Sequence, residues 1–287
     1  MSILKFQKFF LIISLILTVF SLVVLGIYKL KPGIDFTGGS VIEVSTKAKT
    51  EDIEKIFKNN NLPIIVSTSS DNTQILKTKE IDENTKNKII TDINGVGETK
   101  ILRFETIGPT ISKSLTKKAI WSVIIASLGI IMYIAFAFRN LPSALSSWRF
   151  GITAVVALLH DILITTGVFA LAGIFYGYEV DSLFITALLT VMGFSVHDTI
   201  VVFDRVRENV IKNPNNNFYI NADHALVQTL ARSLNTSLTI IITLTALFIL
   251  GGSSIQHFVF TLLFGIIIGT YSSIFVATSL LVLWYKK

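Results

Sequence analysis

Residues Gly151 to Gly173 read GITAVVALLHDILITTGVFALAG. The stretch holds one acidic side chain, Asp161, and no lysine or arginine. As a helix it is long enough to cross the roughly 30 Å of a bilayer's hydrocarbon. That reading decides the fold class, because the pattern recurs on both sides of it. Phe9–Tyr28, Ala119–Phe138, Ser182–Phe203, Ser233–Leu250 and Phe258–Trp284 are similarly apolar, and the turn Gly251-Gly252-Ser253-Ser254 separates the last two. Six spans are therefore predicted. The composition agrees: 51% of the 287 residues are hydrophobic and 15% charged, against about 25% charged in a soluble domain. The absence of cysteine excludes disulfides, thiol catalysis and Cys-ligated metals. The first span has no small-residue cleavage site after it and reads as an uncleaved anchor.

An even number of spans puts both termini on one side. On that side fall Lys5, Lys8, Arg139, Arg149, Arg205, Arg207, Lys212, Arg232, Lys286 and Lys287, while the opposite short loops, 174–181 and 251–257, hold no lysine or arginine. The positive-inside rule then predicts cytoplasmic termini. The other basic residues lie in 29–118, mixed with acidic ones and forming no patch, so the net charge of +6 points to orientation and not to nucleic acid.

Three parts follow: 1–28 with the first span, 29–118 as an extracytoplasmic domain, and 119–287 as the remaining spans with a cytoplasmic loop at 204–232. Within 29–118, Val41–Val44, Pro63–Ser67, Thr73–Thr78 and Thr99–Thr106 read as strands. Thr50 caps one predicted helix, and Asp82–Ile93 is a second; the cluster Ser69-Ser70-Asp71-Asn72 reads as a turn. The order is βαββαβ, a ferredoxin-like α+β domain. Gly33 to Ser40, GIDFTGGS, joins the first span to it. Gly33, Gly38 and Gly39 permit an exit turn around Asp35 and Phe36. No Lys-Ser/Thr follows, so a phosphate cradle is not expected.

Ionisable residues inside a span cost about 2.5–3.5 kcal/mol on insertion scales and mark candidate functional sites. Asp161 lies roughly 15 Å into the third span, and Asp198 roughly 22 Å into the fourth, by the helical rise. His160 and His197 precede them, and Arg232 stands at the entry to the fifth span, where its side chain can reach toward Asp198. The functional reading is a hydrated proton or cation path in which an aspartate alternates between charged and neutral forms. The alternatives are packing for Asp161, an interfacial wetted carboxylate for Asp198, a snorkelling anchor for Arg232 and satisfied polar histidines. Two separate His-Asp pairs make no metal site. Asp204, Arg205, Arg207 and Glu208 read as a solvated helix end, with Glu208 and Lys212 paired at i,i+4. Gly129, Gly167, Gly193 and Gly265-x-x-x-Gly269 allow close helix packing.

Four stretches together resemble the SecF family of the SecD–SecF protein-export complex: GIDFTGGS at 33–40, HDIL at 160–163, GFSVHDTIVVFDRVREN at 193–209 and LARSLNTS at 230–237. The resemblance implies an RND-like half of six spans in the bacterial inner membrane, paired with a SecD subunit that supplies the other half. It implies action beside the SecYEG channel and the SecA motor, with YajC and YidC as further partners and the translocating preprotein as cargo. No enzyme activity, cofactor or metal is implied; the proton-motive force is the energy source. Asp198 and Arg232 match positions that the family associates with proton passage, and His197 stands where asparagine is common. Two readings remain open. One is an energy-coupling export subunit; the other is a scaffold that anchors SecD and a chaperone-like outer domain. An RND efflux pump would need outer domains far larger than 29–118.

Overall fold

Alternating apolar residues in Gly39–Thr46 turn Ile42 and Val44 inward, both fully buried, as a half-buried strand requires. This strand is one of the two inner members of a four-stranded sheet in a computed structural model describing residues 2–68, 73–139 and 145–285. The predicted turn at 69–72 and Lys286 and Lys287 lie outside those residues. In chain order, a 3₁₀ turn at Leu4–Phe6 leads into α1 (Gln7–Tyr28), α2 (Ile34–Thr37), β1 (Gly39–Thr46), α3 (Thr50–Asn59), β2 (Ile64–Thr68), β3 (Thr73–Thr78), α4 (Glu83–Asn94) and β4 (Thr99–Ile107). Five long or terminal helical pieces follow: α5 (Pro109–Ala137), α6 (Ser147–Phe175), α7 (Ser182–Lys212), α8 (Phe218–Leu250) and α9 (Ser253–Tyr271). A π-helical segment, Ser272–Ala277, then joins α9 to α10 (Thr278–Tyr285).

The chain divides into two compact units. One is Lys31–Trp121 with Glu179–Ser182; the other is Met1–Leu30, Ser122–Tyr178 and Leu183–Lys287. In the first unit the sheet order is β2-β3-β1-β4, antiparallel throughout, with a register shift between Glu43 and Val44 opposite β4. α3 buries Ile53 and Phe57, and α4 buries Ile89 and Ile93, pairs spaced i,i+4 on one helical face. These meet Ile42, Val44 and Leu76 in one core. Asp82 caps α4 by accepting the Thr85 N–H at 3.0 Å. Those bonds hold its carboxyl below the usual carboxylate range. The expected cap at Thr50 is not made: Thr50 is the first helical residue, flanked by Lys49 with no side-chain cap.

Six helices, Leu4–Tyr28, Pro109–Ala137, Ser147–Phe175, Ser182–Lys212, Phe218–Leu250 and Ser254–Tyr285, are each long and apolar enough to cross a membrane, and apart from 109–121 and Ser182 they lie in the second unit. Some run beyond the predicted spans. α8 starts at Phe218 and not Ser233, because no glycine or proline between 218 and 250 stops the helix. Its first turns occupy part of the predicted loop at 204–232. Spans three, four and six are 56%, 50% and 61% buried over their most apolar windows, against 17%, 6% and 17% for one, two and five. The former make the centre of the unit, and the latter leave apolar faces outward. Phe138, Phe150 and Phe203, with ring centroids 5.3–6.0 Å apart, fill part of its core.

Candidate functional site

Asp161 is fully buried on α6. A charge there is tolerable only if it is hydrogen-bonded. Three side chains supply the bonds. Ser195 on α7 and Ser272 in the π-helical segment each donate a hydroxyl to Asp161 Oδ2 at 2.5 Å. His160 Nδ1 lies 2.8 Å from Oδ1, and Ser14 Oγ on α1 lies 2.6 Å from His160 Nε2. One proton arrangement satisfies the set: Nδ1–H donates to the carboxylate, and Ser14 donates to Nε2. Hydrogen bonds to a charged group contribute about 1.5–3 kcal/mol each, enough together to offset the cost of an intramembrane carboxylate. Four spans, α6 included, thus converge on the His160–Asp161 pair.

Ser272 and Ser273 are consecutive in the π-helical segment and bond to two different neighbours, α6 and α7. Ser273 donates to the Ser195 carbonyl at 3.2 Å and meets Thr199 Oγ1 at 2.9 Å. Thr199 follows Asp198 on α7.

Asp198 is also buried, but differently held. Ser233 donates to its Oδ1 at 2.7 Å, while Oδ2 has no partner among the described residues. Ser233 in turn accepts at its carbonyl from Ser237, whose hydroxyl accepts from Thr270 on α9 at 2.7 Å. Arg232, expected to reach Asp198, is exposed, and among the described residues no ion pair joins the two. The physical reason is rotation: one residue turns the helix by about 100°, so Ser233, and not Arg232, faces Asp198. His197 is likewise exposed, turned away from the buried carboxylate beside it.

The candidate site therefore consists of two buried aspartates, each held by hydroxyls from neighbouring helices. Sequence reading found the aspartates and His160, but not Ser14, Ser195, Thr199, Ser233, Ser272 or Ser273. Among the described residues, no group of three or more His, Asp and Glu could hold a metal ion.

Asp204, Arg205, Arg207 and Glu208 form a network of their own on the last turns of α7. Arg207 pairs with Asp204 at 3.1 Å, Glu208 takes Lys212 at 2.6 Å and also Arg205, and Arg205 Nε reaches Gln228 on α8 at 2.7 Å. Asn209 adds bonds to Gln228 and to the Asn221 carbonyl. These residues staple α7 to the start of α8.

The Gly33–Ser40 stretch is more than an exit turn. Gly33 N–H donates to the Val180 carbonyl, and Val180 N–H donates to the Lys31 carbonyl, both at 2.8 Å. Asp35 Oδ2 accepts the Ser182 N–H at 2.8 Å, at the first residue of α7. Phe36 lies partly buried in the short α2. Gly38 and Gly39 have φ of 73° and 126°, and a Cβ on Gly39 would sit 2.6 Å from the Thr78 carbonyl oxygen. Only glycine fits there.

Comparison with known proteins follows the same lines. Residues 85–287 match the family described as protein export membrane protein SecD/SecF, C-terminal, and residues 23–49 match the SecD/SecF GG motif. The chain is 40% identical to protein translocase subunit SecF of Thermobaculum terrenum, covering 100% of this chain and 94% of that one. It is 40% identical to the SecF of Anaerolinea thermophila, covering 99% and 94%. It is 34% identical to protein translocase subunit SecDF of Bacillus subtilis, covering 97% of this chain but 37% of that longer one. Among solved structures it resembles SecDF, a translocon-associated membrane protein from Thermus thermophilus, with a TM-score of 0.86 and 27% identity; the match covers 100% of this chain and 39% of that one.

Proposed function

The chain belongs to the SecD/SecF family of protein-export membrane proteins, and on that premise we propose that it is a Sec translocase subunit that couples the proton-motive force to late steps of export. It works in the bacterial inner membrane with both termini in the cytoplasm and a ferredoxin-like domain on the outer side. A SecD-type subunit supplies the second half, covering outward apolar faces of spans two and five. The SecYEG channel and SecA deliver the preprotein. No cofactor or covalent chemistry of its own is needed.

The observation that carries this reading is Asp198: a buried carboxylate in an apolar helix, with one oxygen held by Ser233 and the other without a partner. A carboxylate of that kind can take and release a proton, because its free oxygen has no fixed donor to displace. Asp161, with both oxygens held by Ser195, Ser272 and His160, is a second buried carboxyl on the neighbouring helix α6. Asp198→Asn is expected to lower proton flux and export at least tenfold in vesicles while leaving the purified complex folded. Normal export by that variant would favour the scaffold reading, in which only the outer domain and the anchoring of its partner matter.

A further inference from the structure

The start of α1, the first turn of α8 and the end of α10 enclose a groove of about 950 Å³. Lys5 and Lys8 line it as exposed cations. Gln7, between them in sequence, lines it too. It is only 5% exposed, and its Oε1 has no hydrogen-bond partner among the described residues. An orphaned buried acceptor costs about 1–3 kcal/mol unless something outside the chain completes it. Opposite stand Phe218 and Tyr219, the first residues of a 33-residue helix, so the positive end of its dipole borders the groove.

The aromatic wall is rigid. Tyr285 stacks on Phe218 with centroids 4.1 Å apart, accepts the Ser146 N–H at its hydroxyl, and lies under the Arg149 guanidinium. No carboxylate is among the described lining residues. The carboxylate of Asp223, further along α8, is engaged by the N–H groups of Ile3 and Leu4 at 2.8 Å.

We propose that this groove binds the phosphate-bearing headgroup of an anionic phospholipid. Lys5, Lys8 and the α8 terminus hold the phosphate, and a headgroup hydroxyl completes Gln7. A lipid is favoured over a free phosphate by what lies along α1 from Lys8. Ile12, Leu15 and Val19 follow it at i+4, i+7 and i+11 on one helical face, 57%, 63% and 51% exposed. A charged headgroup site thus opens onto an apolar stripe that fits acyl chain. Basic pockets between spans bind such headgroups for this reason.

The test uses the full chain purified in mild detergent and exposed to phosphatidylglycerol or phosphatidylcholine at equal mole fraction, with retained lipid counted by native mass spectrometry. Phosphatidylglycerol is expected to be retained over phosphatidylcholine. Lys5→Gln and Lys8→Gln, both exposed and harmless to folding, should each weaken retention about fivefold, and Gln7→Leu should weaken it without lowering the melting temperature. Lys113→Gln on α5 should leave it unchanged. Equal retention of phosphatidylcholine, or undiminished retention by the Lys5→Gln/Lys8→Gln double variant, overturns the proposal. Displacement by millimolar inorganic phosphate would make it a free-anion site and overturn the assignment to lipid.

Discussion

A serine inside a helix usually returns its hydroxyl to the carbonyl one turn back. Thr18, Ser127 and Thr166 do so here, bonding to Ser14, Val123 and Ile162. Ser195 turns outward to Asp161 instead, and Ser272 reaches Asp161 at 2.5 Å while keeping only a longer 3.2 Å bond to the Gly269 carbonyl. Ser195→Ala and Ser272→Ala should therefore each cost about 1 kcal/mol in thermal or denaturant unfolding of the solubilised protein. Asp161→Ala should cost about 3 kcal/mol or more, because it strands both serines and His160 at once. Equal effects of Thr166→Ala and Ser272→Ala would contradict the network. Asp161 was legible in the sequence because a lone charge stands out in an apolar run. Its serines were not, since nothing in a sequence says which hydroxyls leave their own helix. Arg232 was misread for a related reason: proximity along the chain says little about which side of a helix faces a neighbour.

The same limit appears among the glycines of the long helices. All were equally suited to close packing by sequence, yet their surroundings differ. A Cβ on Gly265 of α9 would lie 2.3 Å from Val191 Cγ2, and one on Gly167 of α6 would lie 2.5 Å from Ser21 Cβ and 2.8 Å from its Cα. Gly129 and Gly193 have nothing within 4 Å. Gly265→Ala and Gly167→Ala should destabilise by about 1–3 kcal/mol. Gly129→Ala should be neutral or gain up to about 1 kcal/mol from helix propensity. Unfolding midpoints of the three variants side by side decide the matter. Spans themselves were legible, because twenty apolar residues have few other places to go. Their ends were not: α5 and α8 continue past the apolar windows for want of a breaker, and the π-helical segment at Ser272–Ala277 has no sequence signature.

At the scale of the whole chain, residues 179–182 are built into the same compact unit as the sheet, although 150 residues of sequence separate them from the Gly33–Ser40 stretch that holds them. Sequence reading treated both as loops, because the bonds between them are nearly all backbone to backbone. The exception is Asp35, which accepts the Ser182 N–H. Asp35→Ala should cost about 0.5–2 kcal/mol, as loss of a helix cap does. Faster hydrogen exchange at Ser182 than at amides deep in β1 would report it. Unchanged exchange there would mean that the Val180 bridge alone suffices.

That clasp has a mechanical meaning. α7 begins at Ser182 and runs unbroken to Lys212, carrying Ser195, Asp198 and Thr199 along its length. Its first residue is stitched to the Gly33–Asp35 segment, which leads directly into β1. The clasp thus fixes the first residue of an unbroken helix that carries the buried Asp198 within its length.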